Sequence, residues 1–148
     1  MVADMGDYVV FHCFPFYRRQ ILCRPSGEKE FMINEADLEE LESVLTGVTV
    51  GVGSQILIFG SGATVLVQCP FISETQGKKQ QGHGEHVHTS QLFYDYLNSQ
   101  VIRASIEEQG VLVLEFEEDK LLRIVPEYDG LESYVISSRL GICPVAVV

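Results

Sequence analysis

A chain of 148 residues, 46% hydrophobic and 21% charged, is long enough for one domain with a buried core and too apolar for global disorder. Its 10 basic and 21 acidic residues leave a net charge of −11, a field that repels nucleic acid and anionic membrane surfaces and favours a basic partner. No apolar run reaches the roughly 18 residues of a membrane span, and Asp4 and Asp7 stand where a signal peptide carries Lys or Arg, so the expected location is cytoplasmic.

Residues 1–33 read as an N-terminal β hairpin. Asp7 to Phe16 is rich in β-branched and aromatic side chains, Arg18 to Arg24 is a second short run, and Pro15-Phe16-Tyr17 supplies the turn. Pro25-Ser26-Gly27-Glu28 is a turn by composition, and Phe31-Met32-Ile33 is a third strand or the lead-in to a helix.

Residues 34–72 form a first repeat. Asn34 is an N-cap, Glu35 and Asp37 sit in the first turn, and Leu38, Leu41, Val44 and Leu45 recur at helical spacing up to Gly47. Glu39, Glu40 and Glu42 fall on the outer face of that helix, where charge is ordinarily a solvated surface. Alternating Val48, Val50 and Val52, then Ile56 to Phe59 and Ala63 to Val67 around Gly60-Ser61-Gly62, make three strands that end at Cys69-Pro70.

Residues 73–89 are polar and glycine-containing, and read as a mobile loop. The second repeat, 90–136, opens on a short helix over Gln91 to Leu97, capped by Ser90 or Thr89, with Leu92, Phe93, Tyr96 and Leu97 pointing inward. Three strands follow: Val101 to Ile106, Val111 to Phe116 and Leu121 to Val125. Ile102, Ala104 and Ile106, like Leu112, Leu114 and Phe116, alternate at the period that sets one sheet face against a core. Leu45 to Pro70 and Leu97 to Pro126 share an order of apolar runs, the second with four extra residues in its loops, so two helix-plus-three-strand units bury their apolar faces together. Residues 137–148 are the end of one more strand and an apolar tail. The expected fold is therefore α+β in a single domain, mainly antiparallel sheet with two short helices.

Chemistry is sparse. Cys13, Cys23, Cys69 and Cys143 form no CxxC pair and read as reduced, buried thiols. Cys13 and His12 are adjacent on one strand and point to opposite faces, so they make no dyad. His83, His86 and His88, with Glu85 as a fourth donor, could reach one zinc or nickel ion, or could be an ordinary polar loop. Gly47, Gly51 and Gly53 lack the lysine and spacing of a phosphate loop. Carboxylates at turn tips stay in water and make poor acid or base catalysts, so no enzyme activity and no cofactor is expected.

The acid itself is the clearest signal. Nine carboxylates lie between Glu107 and Glu132 against Lys120 and Arg123. Glu107, Glu108, Glu115, Glu117, Glu118, Asp119 and Asp129, with Tyr128, are the candidate residues for docking a basic groove, where complementary charge speeds association and a few aromatic anchors supply affinity.

Leu97, Val101 to Ala104, Leu112 to Phe116, Leu122 to Pro126 and Glu132-Ser133-Tyr134 together resemble small bacterial domains found among immunity proteins of polymorphic and contact-dependent toxin systems. Tyr134 stands where a Trp is commoner, and Glu118-Asp119-Lys120 replaces an Asp-Gly turn. The resemblance implies a protein that binds and inhibits a cognate toxin and carries over no catalytic positions; the acidic surface points to a basic nuclease or another nucleic-acid-directed effector as that toxin. The alternative is a metal-binding protein using the His83, His86 and His88 loop.

Overall fold

The computed structural model describes residues 31–147 and, of the chain before them, the strand residues 11–12, 19–20 and 22–23. The N-terminal strands are short: β1 (Phe11–His12) pairs antiparallel with β2 (Arg19–Gln20), and β3 (Leu22–Cys23) with β4 (Phe31–Met32). The expected turns over 15–17 and 25–28, residue Cys13 and the absence of a signal sequence over 1–10 lie outside the described residues.

Helix α1 (Glu35–Glu39) starts as the sequence predicts. Asn34 accepts the Asp37 N–H at 3.0 Å while Asp37 accepts the Asn34 N–H at 3.1 Å, a reciprocal cap that satisfies two otherwise orphaned donors. It stops at Glu40, not at Gly47. Val44 bridges Gln100, and β5 (Leu45–Gly51) begins there; Leu45 is fully buried, but on a strand. A leucine at helical spacing is also a leucine at a strand start, and tertiary pairing decided between them.

Two antiparallel meanders follow, each continued by a hairpin. β5, β6 (Ser54–Phe59) and β7 (Thr64–Val67) run through the Gly60-Ser61-Gly62 turn. Then come β8 (Pro70–Thr75) and β9 (Lys78–His83), so the segment 73–89, expected to be a mobile loop, is largely a hairpin. Its turn is Gln76-Gly77, both at positive φ. The misreading has a physical source: β9 lies at a sheet edge, so its Lys78-Lys79-Gln80-Gln81 run faces water and has the composition of a loop.

The second meander is β10 (Val101–Ile106), β11 (Leu112–Phe116) and β12 (Lys120–Ile124), followed by β13 (Glu132–Ser138) and β14 (Gly141–Ala146). The C-terminal region thus holds two strands where one was expected. Between β9 and β10 the chain forms a 3-10 helix over Val87–Tyr96, longer than the expected helix of 91–97. Phe93 and Tyr96 are buried there, Leu97 is 38% exposed, and Thr89 holds the preceding loop in place of capping.

Each meander takes the other's hairpin. One sheet has the order β14-β13-β7-β6-β5 and the other β9-β8-β12-β11-β10, so β5 to β9 and β10 to β14 occupy matching places. Both first strands carry a bulge at the same point, between Leu45 and Gly47 and between Val101 and Arg103. Leu45 faces Phe59 as Val101 faces Phe116, so Leu45 answers to Val101 and not, as the sequence pattern implied, to Leu97. The bulge also turns Ile102 out to solvent, 64% exposed, while Ala104 stays at 7%.

Leu57, Phe59, Val65 and Val67 from one sheet and Leu114, Phe116, Leu122 and Ile124 from the other meet in a single core. The two open sides between the sheets are plugged: α1 packs against β10 on one, and the 3-10 helix packs against β5, β6, β8 and β9 on the other. Among the described residues no helix is long and apolar enough to cross a membrane.

Candidate acidic groove

Where α1 meets the outer face of β10 and β11 the surface forms a groove of about 470 Å³. Leu38, Ala104, Ile106 and Val113 supply apolar walls, and Glu35, Glu39, Glu42, Glu107 and Glu115 surround them. Arg103 is the one cation in the lining and sits directly across the strand pair from Glu115.

Local structure holds the groove open. The Asn34 cap sets the start of α1, and the Ser138 hydroxyl donates to Asp37 Oδ1 at 3.0 Å, tying the helix to β13. Arg139 pairs with Glu40, anchoring the far end of the same helix. Glu42 Oε1 accepts the Ala104 N–H at 3.1 Å, so this carboxylate occupies a backbone donor that the bulge leaves facing the sheet edge. Glu39, Glu107 and Glu115 have no ion pair within 4 Å among the described residues. Of the three acids read from sequence as a solvated helix face, Glu39 and Glu42 line one wall while Glu40 is taken by Arg139, and no sequence spacing shows that a hairpin more than sixty residues on supplies the other wall.

The eight docking residues expected from sequence do not share one surface. Glu107 and Glu115 lie in the groove. Glu108, Tyr128 and Asp129 are exposed at the molecule's end where β12 stops, an end tied together by the Tyr134 hydroxyl on Gly110 O at 2.8 Å. Glu117, Glu118 and Asp119 are at the opposite end of β11, a distance of about 17 Å for five residues at strand rise. There Glu117 Oε1 accepts the Gln100 N–H at 3.2 Å. Glu118 lies 3.8 Å from Lys120, whose ammonium also donates to Asp95 O and Ser99 Oγ.

The histidines are brought together: the His83 and His86 rings lie 4.8 Å apart, tilted by 31°, and the His86 and His88 rings stack at 5.7 Å. Gln55 Nε2 donates to His86 O at 3.0 Å and to His83 O at 3.4 Å, and the Thr89 hydroxyl donates to the same carbonyls. Gly84 is obligatory, since a Cβ there would sit 2.1 Å from Val67 O. His83 Nδ1 accepts the Glu85 N–H at 3.2 Å, and its Nε2 lies 3.6 Å from Glu127. Among the described residues no group of three or more His, Cys, Asp or Glu side chains is placed to hold a metal ion.

Cys69 and Cys143 are buried, and Cys69 is a free thiol. Burial, and then the Glu127 carboxylate, pushes the Cys69 thiol up to about 12, so it stays protonated and unreactive at neutral pH. Glu74, held by Lys79 at 2.9 Å and Arg123 at 3.2 Å, titrates below the ordinary carboxylate range, chiefly through the Lys79 hydrogen bond. In comparison with known proteins, no family model, no curated protein and no solved structure matches the chain.

Proposed function

We propose that this chain is a cytoplasmic immunity protein that binds and neutralises a basic toxin of the nuclease kind, acting by occlusion, with no catalysis and no cofactor of its own. The observation that carries this reading is the groove between α1 and the β10–β11 hairpin. Five carboxylates surround apolar walls with one guanidinium among them, on a chain whose net charge is already −11. Such a surface attracts a cationic segment by its field and retains it by burying that segment's aliphatic stems against Leu38, Ile106 and Val113. The exposed acids at the two ends of β11 would extend the attraction beyond the groove. We also read the two halves as copies of one ancestral helix-plus-strands unit; the matching bulges and exchanged hairpins support this.

The test uses the purified chain with the product of the neighbouring reading frame. Combining Glu39→Lys with Glu115→Lys should slow association about tenfold and flatten its dependence on salt, because complementary charge acts mainly on the encounter rate. Glu42 is left intact in that variant because its carboxylate holds the Ala104 amide. An unchanged association rate removes the groove from the interface; absence of any complex, together with no protection of cells expressing the toxin, removes the function.

A further inference from the structure

Four strands border the two sheets: β14 and β5 on one, β10 and β9 on the other. Three of them carry a feature that discourages pairing with another chain. β14 has Pro144, which lacks an N–H, in its middle; β9 presents Lys78 and Lys79; and β10 has α1 packed against it, with Glu42 on its Ala104 amide.

β5 differs: the 3-10 helix packs against it, but the strand carries no proline and no lysine, and among the described residues no side chain is bonded to its Val48 or Val50 backbone. Leu45–Gly51 has no charged residue of either sign; its Val50 is 37% exposed, and Val52 just past its end is 101% exposed. Its first residue is occupied, since Leu45 exchanges backbone hydrogen bonds with Asn98 and Ser99. From Gly47 to Gly51 the described ladder runs on one side only, to β6. The two-residue loop Val52-Gly53 closes on the Gly51–Ser54 pair, and antiparallel pairs alternate between bonded and non-bonded. Gly47, Thr49 and Gly51 therefore bond β6, whereas Val48 and Val50 aim their N–H and C=O groups out of the sheet.

We infer that this edge pairs with the same edge of a second copy of the chain, joining two five-stranded sheets into one of ten strands. The residues Gly47-Val48-Thr49-Val50-Gly51 read the same in both directions. An antiparallel pair centred on Thr49 thus sets Val48 against Val50 twice, Gly47 against Gly51 twice, and Thr49 against Thr49, a self-complementary contact of the kind a twofold dimer requires. In that register all four outward-facing valine peptide groups are satisfied, and a Thr–Thr pair is a favourable cross-strand neighbour. Charge selects this edge over β10: pairing β5 opposes no carboxylates, while pairing β10 would bring two acidic grooves together. Five paired residues are a small contact, so the dimer is weak and concentration-dependent.

Sedimentation of the full chain over a wide concentration range should show reversible monomer and dimer. Association should strengthen as salt rises, because each copy carries −11 and the screening length falls from about 10 Å at 0.1 M to about 3 Å at 1 M. Val50→Pro removes one outward N–H without touching the ladder to β6, and should leave only monomer with an unchanged far-ultraviolet spectrum. Independently, Thr49→Cys should form an intermolecular disulfide mapped to position 49, since opposed non-bonded residues lie about 4.5 Å apart; Thr46→Cys should not. A chain that stays monomeric at every concentration and salt, a Val50→Pro dimer as strong as the parent, or cross-linking equal at 46 and 49 would overturn the inference. None of these results bears on toxin binding by the groove, which lies on the other sheet.

Discussion

Glu118 and Asp119 hold left-handed backbone, φ 60° and 56°, at the exposed turn between β11 and β12, where a residue with a Cβ costs roughly 1 kcal/mol that glycine would not. Replacing Asp119 with Gly should therefore raise the unfolding free energy by about 1 kcal/mol, seen as a higher urea midpoint at unchanged slope. Glu74 makes a second prediction at this scale. Its carboxyl titrates lower in the folded chain than in the unfolded one, so the stability it contributes is complete above the ordinary carboxylate value of about 4.3 and is lost as pH falls through the folded value. Glu74→Gln should lower stability at neutral pH and flatten the acid limb of the pH–stability curve below about 4.3, measured by urea unfolding at stepped pH. A limb of unchanged steepness would mean that Lys79 and Arg123 do not hold the carboxylate in solution.

α1 has five residues and little stability of its own, so its reciprocal cap and its ties to Ser138 and Arg139 carry it. Asn34→Ala should cost about 1 kcal/mol, and should also loosen the groove wall that carries Glu35 and Glu39. Faster hydrogen exchange confined to α1 and the β10 edge would report that loosening; exchange unchanged in both would show that the cap does not set the groove. The β8–β9 hairpin carries the same lesson in reverse. Its outer strand looks unstructured by composition, yet Phe71 on β8 lies against Gly82 on β9, where any Cβ would meet the ring at 2.3 Å.

At the scale of the whole molecule, the exchange of hairpins means that neither half completes a sheet from its own strands. Sheet β14-β13-β7-β6-β5 needs the last hairpin of the chain, and sheet β10-β11-β12-β8-β9 needs one from before the 3-10 helix. A fragment of residues 1–98 and a fragment of residues 99–148 should each lack dispersed amide resonances and cooperative melting, and should recover both on mixing. A fragment that folds alone would show that the exchanged hairpin is dispensable to its sheet. Removing core volume should be costly anywhere in the shared interior: Leu114→Ala, at a fully buried position, should destabilise by about 2–5 kcal/mol.

Local chemistry settled much of this before any folding. Alternating apolar residues at Leu112, Leu114 and Phe116, the Gly60-Ser61-Gly62 turn and the Asn34 cap are short-range patterns, and each element they imply is present. So is the largely antiparallel character of the chain, because strands joined by tight turns can pair only in that sense. What long-range pairing decided was which strand lay beside which: the register that ended α1 at Glu40, the bulge that turned Ile102 outward, and the hairpins traded between sheets. The groove belongs to that second class. Glu39 and Glu115 are neighbours only because α1 plugs the side of a sandwich whose far strands had first to assemble, and a pairing free energy spread over the whole core leaves no mark at either residue.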